Sequence, residues 1–137
     1  MQYFEDTGFW IARLSRSDQW HTQAVAISGS FQPSDRFFTS DFVLLELLNY
    51  FSTAGSLLRL KSSTIVEEIE NDPHHRILST SSEHFREARK MYERHSDKAW
   101  SLTDCSSFQL MRELGIQNAL TFDHHFEQAG FRTIPGI

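Results

Sequence analysis

Tyr3-Phe4-Glu5-Asp6-Thr7-Gly8-Phe9-Trp10-Ile11 is the stretch that decides the fold. Tyr3 to Glu5 is short and aromatic-rich, as strands are, and Asp6-Thr7-Gly8 stops it. Phe9, Trp10, Ile11 and Leu14 then open a helical pattern, so the segment reads as strand, turn, helix. Working outward, Asp18 to Ser28 predicts a second helix, broken by the Gly, Ser and Pro between Gly29 and Asp35. Arg36-Phe37-Phe38 reads as a short buried strand. Thr39 and Ser40 are good N-cap residues and Asp41 suits a first turn, which predicts a largely apolar helix from Phe42 to about Thr53, ended near Gly55.

Strand and helix signals keep alternating along the rest of the chain. Leu57 to Glu70 predicts a helix that ends before Asn71-Asp72-Pro73, because the residue ahead of a proline disfavours helix. His75 to Ser79 reads as a brief strand. Ser82 to His95 predicts a charged helix with Phe85, Ala88 and Tyr92 inward and Arg86, Arg89, Lys90 and Arg94 on one face. Thr103 to Leu114 follows as a helix stopped by Gly115. Gln117 to Thr121 is a strand, Asp123 to Gln128 a short helix stopped by Gly130, and Phe131 to Ile134 a last strand. This alternation predicts one α/β domain over residues 1–137, built on a mainly parallel sheet with right-handed crossovers. In such a sheet the strand C-termini share an edge where ligands bind, and Asp6 and Asp123 both follow strands.

The 137 residues suit one domain, and twelve Phe with three Trp supply ample apolar area for a core. No basic leader, long apolar N-terminal segment or run of roughly 20 apolar residues is present, so the expectation is a cytoplasmic protein with no membrane span. The single cysteine, Cys105, has no CxxC partner, which fits a reducing compartment and argues against thiolate zinc. It reads as a small buried packing residue. The net charge of −5 does not advertise a nucleic-acid binder, but cations bound in an acidic pocket invert charge locally.

Four acids stand where apolar runs end or are interrupted: Asp6 in Y-F-E-D-T, Glu46 in L-L-E-L-L, Asp104 in S-L-T-D-C and Asp123 in L-T-F-D-H. Each has an ordinary explanation. Asp6 and Asp123 suit helix N-caps, Asp104 stands at capping-box spacing from Ser101, and Glu46 shares a helical sector with Asn49 and Thr53. Taken jointly they converge on one crevice, and several like charges within a few ångströms stay ionised only around a cation. Oxygen ligands select a hard ion, Mg²⁺ or Mn²⁺, and no His/Cys set has zinc spacing. His74-His75 and His124-His125 read as surface residues or as supports behind the acids, since neighbours on a strand face opposite sides. His124 and His125 are also candidates for touching a phosphate.

Four blocks carry a resemblance over nearly the whole chain: D-T-G-F-W-I-A from Asp6 with Asp18-Gln19-Trp20-His21 and Ala24 behind it; T-S-D-F-V-L-L-E-L-L-N from Thr39; D-K-A-W-S-L-T-D-C-S-S-F from Asp97; and A-L-T-F-D-H-H-F-E-Q-A-G-F from Ala119. In order and character they resemble the PIN-domain nucleases, and among them the VapC-type ribonuclease toxins of toxin–antitoxin pairs. The resemblance implies a three-layer α/β/α sandwich and a metal-dependent endoribonuclease. It makes Asp6, Glu46 and Asp104 the core metal-binding and catalytic acids, Asp123 the fourth, and Ser107 a supporting hydroxyl. It also implies a homodimer, a small cognate antitoxin and an RNA substrate. Gly8 departs from the Ser or other small residue that many relatives carry there, but no ligand is lost. With all four acids present, RNA phosphodiester hydrolysis by a metal-activated water is the expected activity. Arg86, Arg89, Lys90 and Arg94, with Arg13 or Lys98, are candidates for holding the RNA backbone, against the plainer reading of a solvated helix face.

Other classes also place acids at a sheet edge. A phospho-accepting receiver domain would use Glu5-Asp6 as its acidic pair, yet Glu46 lies in a predicted helix and Thr121-Phe122-Asp123 supplies no lysine. A haloacid-type phosphatase would need an aspartate where Gly8 stands. The remaining alternatives are an RNA-processing nuclease of the same fold that is not a toxin, and a non-catalytic module that binds RNA or protein.

Overall fold

In a computed structural model describing residues 1–136, strands β1 (Gln2–Glu5), β2 (Arg36–Ser40), β3 (His75–Leu78), β4 (Asn118–Leu120) and β5 (Arg132–Ile134) form one sheet. Its order is β3-β2-β1-β4-β5 and every pairing is parallel. Helices α1 (Thr7–Leu14) and α2 (His21–Ser28) connect β1 to β2, and α3 (Asp41–Tyr50) and α4 (Ser56–Asn71) connect β2 to β3. Helices α5 (Ser82–Arg94) and α6 (Leu102–Leu114) lead back to β4, and α7 (His125–Gln128) joins β4 to β5.

The register explains the layers. Tyr3 lies opposite Phe37, and Phe4 lies opposite Phe38 and Ala119. Because side chains alternate across a strand, Tyr3, Phe37 and Leu120 face one way and pack with Phe9 and Ala12 of α1 and Ala24 of α2. Phe4, Phe38 and Ala119 face the other way, into a larger core with Val43, Leu47, Ala88, Phe108 and Met111 from α3, α5 and α6. The result is the three-layer α/β/α arrangement. Cys105 is fully buried, and burial first, then Asp104, pushes its thiol up to about 11, so it packs and does not react.

The observed elements correct several predicted boundaries. Helix α2 begins at His21 and not at Asp18, because Asp18 folds into a turn: its carboxylate accepts the Trp20 N–H at 2.8 Å and its carbonyl the His21 N–H at 3.1 Å. Helix α3 stops at Tyr50, short of Thr53, where Ser52 turns back to bond the Asn49 carbonyl through both its N–H and its hydroxyl. The inner side of α5 is His84, Ala88 and Met91, whereas Phe85 and Tyr92 are exposed. His84 replaces Phe85 inside because its ring bonds the buried Ser106 hydroxyl of α6 at 2.7 Å.

Candidate active site

Strand β1 is the middle of the sheet, and the chain builds outward from it in both directions, so the gap between β1 and β4 is a switch point of the kind that opens a crevice. Asp6, the first residue past β1, holds this position through its N–H to the Leu120 carbonyl at 3.1 Å. It occupies the N-cap of α1, but its side chain makes no capping bond. Instead its Oδ2 accepts the Thr121 hydroxyl at 3.0 Å. The preceding Glu5 points to the opposite face by strand alternation. There it is buried against His75, whose Nε2 lies 2.8 Å from Oε1 but off the line of a hydrogen bond. Glu5 and Asp6 therefore cannot share an ion, which removes the receiver-type acidic pair.

Asp104 enters from the first turn of α6. The capping box is real: Ser101 Oγ accepts the Asp104 N–H, and Asp104 Oδ2 accepts the Ser101 N–H, both at 3.0 Å. The structural explanation and the place in the cleft thus belong to the same carboxylate. Asp123 follows β4 and accepts the His125 N–H at 2.7 Å. His125 Nδ1 then lies 3.0 Å from both Asp104 Oδ2 and Asp123 Oδ2, tying the two acids together. Glu46 projects from α3 and is exposed.

All four predicted acids line one cleft of about 510 Å³, together with Thr7, Gly8, Asp18, Gln19, Trp20, Tyr50, Phe122 and His125. Among the described residues five carboxylates line it, counting Asp18, and no Lys or Arg does. The electrostatic result is severe. Burial first, then Asp104, lifts Asp6 to about 8, with Thr121 and Thr7 offsetting part and Asp123 adding to it. Burial likewise raises Asp104, partly relieved by the Ser101 N–H and by His125. Such a set is electrostatically unsatisfied without positive charge, and its oxygen donors suit a hard divalent cation. Asp104, Asp123 and His125 already bring ligand atoms within 4.8 Å of one another. A phosphate would also be repelled from this cleft unless a cation stood in it.

Other predicted residues lie elsewhere. Ser107 is fully buried with its hydroxyl unpartnered, and it does not line the cleft. Arg86, Arg89, Lys90 and Arg94 are exposed on α5 outside the cleft wall; Arg89 pairs with Glu93 at 3.9 Å and Lys90 with Glu87 at 3.4 Å. Arg13 lies over the Trp10 ring, and Lys98 pairs with Asp97. The sequence alone did not single out Asp18 and Tyr50 as cleft residues, nor Thr121 as the buried partner of Asp6, and it left His125 among several options. The signal for His125 was its offset of two from Asp123, the spacing at which an aspartate bonds a following N–H.

The sequence matches the PIN domain over residues 3–132. It is 33% identical over 136 residues to the 23S rRNA-specific endonuclease VapC20 of Mycobacterium tuberculosis, covering 93% of this chain and 94% of that protein. The crystal structure of that VapC20, described as a sarcin-ricin loop cleaving toxin, superposes with a TM-score of 0.83 at 30% identity, covering 94% and 95% of the two chains. FitAcB of Neisseria gonorrhoeae (TM-score 0.65, 18% identity, 96% and 95% covered) shares the fold. So does VapBC2 of Rickettsia felis bound to a DNA fragment from their promoter (0.63, 14%, 95% and 94%). With its parallel sheet, its acid-lined crevice and a match running nearly end to end, the chain belongs to the PIN-domain family, among its VapC-type members.

Proposed function

We propose that this protein is a Mg²⁺- or Mn²⁺-dependent endoribonuclease and the toxin of a toxin–antitoxin pair acting in the cytoplasm. The observation that carries the reading is that four carboxylates, from four separate segments, line one cleft with no Lys or Arg among its described residues. Asp6, Glu46, Asp104 and Asp123 would hold the cation. His125 orients Asp104 and Asp123, while Thr121 fixes the rotamer of Asp6. A divalent cation bound there supplies neutralisation of the scissile phosphate and acidification of a water for in-line attack. Phosphates flanking the cut fall to basic side chains outside the cleft, for which Arg86, Arg89, Lys90, Arg94 and Lys98 are the candidates. The relative's action on 23S rRNA makes ribosomal RNA the first substrate to try.

The partner reading is supported by exposed apolar side chains. Leu57 is 76% and Leu60 67% exposed on α4, beside a groove of about 870 Å³ lined also by Leu14, Leu58 and Ile65. Leu45 and Tyr50 of α3 are exposed as well. We assign these surfaces to a small antitoxin and to a second copy of the chain. RNA cleavage with Mg²⁺ or Mn²⁺ tests the core of the reading. Chelation abolishes it and Asp104→Asn lowers it roughly a hundredfold or more; cleavage that survives both sinks the metal mechanism. A neighbouring reading frame for a small DNA-binding antitoxin separates a toxin from a processing nuclease.

A further inference from the structure

Trp20 stands 41% exposed on the wall of the acid-lined cleft. Its position is built, not loose. The Asp18 carboxylate holds its N–H at 2.8 Å, and the next residue, His21, anchors the turn to α1 through Nδ1 at 2.7 Å from the Ala12 carbonyl. The indole lies flat on Phe122, with centroids 5.2 Å apart and planes within 5°. Phe122 in turn stacks at 5.9 Å and 14° on Phe9, which is fully buried. Three rings thus form a column rising from the core to the cleft.

The column is tied to the acids by one tripeptide. Thr121 bonds Asp6, Phe122 carries Trp20, and Asp123 is itself a candidate ligand. Phe122 is the one ring stacked on Trp20 among the described residues, so the rest of the exposed indole surface has no aromatic partner. A large apolar ring kept in solvent at fixed geometry contributes little to the core, but it is pre-organised to take a flat apolar ligand with little loss of entropy. Beside a phosphate site, that ligand is a nucleobase. Since no Lys or Arg lines the cleft, affinity there must come from the cation and from base contacts.

We propose that Trp20, seated on Phe122, is the stacking platform for one unpaired nucleobase next to the phosphate held at the carboxylates. This rests on the nuclease reading for its substrate, and Gln19 and Asp18 beside the ring offer polar groups to the base edge. The test mixes the full chain and Mg²⁺ with a short single-stranded oligoribonucleotide carrying one fluorescent aminopurine. Fluorescence is followed before cleavage, and cleavage is read later in the same mixture.

Wild-type protein quenches the aminopurine; Trp20→Leu loses the quench and binds about tenfold to hundredfold more weakly, and Trp20→Phe keeps most of both. Matching melting curves show that the variants are folded. If Trp20→Leu does not fold, the wild-type quench and Trp20→Phe decide. The platform is overturned if wild type does not quench, if Trp20→Leu binds like wild type, as a patch reserved for a protein partner would, or if a fully paired duplex binds equally well with the same dependence on Trp20. Quench without cleavage leaves the platform standing and removes the nuclease reading; cleavage without quench does the reverse.

Discussion

Asp6 is the residue on which the cleft's electrostatics concentrate. Its ordinary value of 3.8 is lifted to about 8 by burial and then by Asp104. Below the lower value the folded and unfolded chains both hold the proton. Between the two the unfolded chain releases it while the folded one keeps it, so metal-free stability falls as pH rises across that window. In chelator, wild-type melting temperature should decline from about pH 5 to about pH 8. Asp6→Asn should flatten the decline and melt higher than wild type at the upper end; calorimetry at both pH values checks this, and a lower melting temperature for Asp6→Asn there would contradict it. At this scale the four acids were legible because charges among apolar neighbours stand out in a sequence. Thr121 was not, and His125 stood there only as one option among several histidines, because what makes them matter is a neighbour: the Thr121–Asp6 bond spans 115 positions.

Helices were legible in kind and less so at their faces and ends. For α5 the period was right and the phase was wrong: Phe85 and Tyr92 outrank His84 in hydrophobicity, yet the Ser106 hydroxyl across the interface rewards a histidine. For α2, Asp18 looked like a helix start and is a turn, since its carboxylate satisfies Trp20 two residues on. Helix α4 shows the converse, apolar residues that no core of this chain takes up. Because Leu57 and Leu60 are so exposed, changing both to Glu should move stability by no more than about 0.5 kcal/mol each and leave RNA cleavage intact. The same double variant should lose capture of a co-expressed antitoxin. Co-purification and a thermal melt test the pair of outcomes, and undiminished capture would place the antitoxin elsewhere.

The whole molecule is organised by β1, which pairs with β2 on one side and β4 on the other. Alternation of strands and helices announced a parallel α/β fold, but strand order is a long-range property that no local pattern encodes. The cation proposed for the crevice it creates should stabilise the fold, by about 2.7 kcal/mol for Mn²⁺ at a hundred times its dissociation constant. Thermal melts across a Mn²⁺ series should show this for wild type and much less for Asp104→Asn; equal shifts would locate the ion outside the cleft. The pairing of β1 with β4 also sets a timetable. Residues 2–5 pair with 118–120, far later in the chain, so the central sheet closes only once β4 has been made. Until Thr121 and Asp123 leave the ribosome, Asp6 lacks its hydroxyl partner and the cleft lacks a wall. A chain stopped short of β4 therefore carries the Asp6 side of the cleft without the Asp123 side.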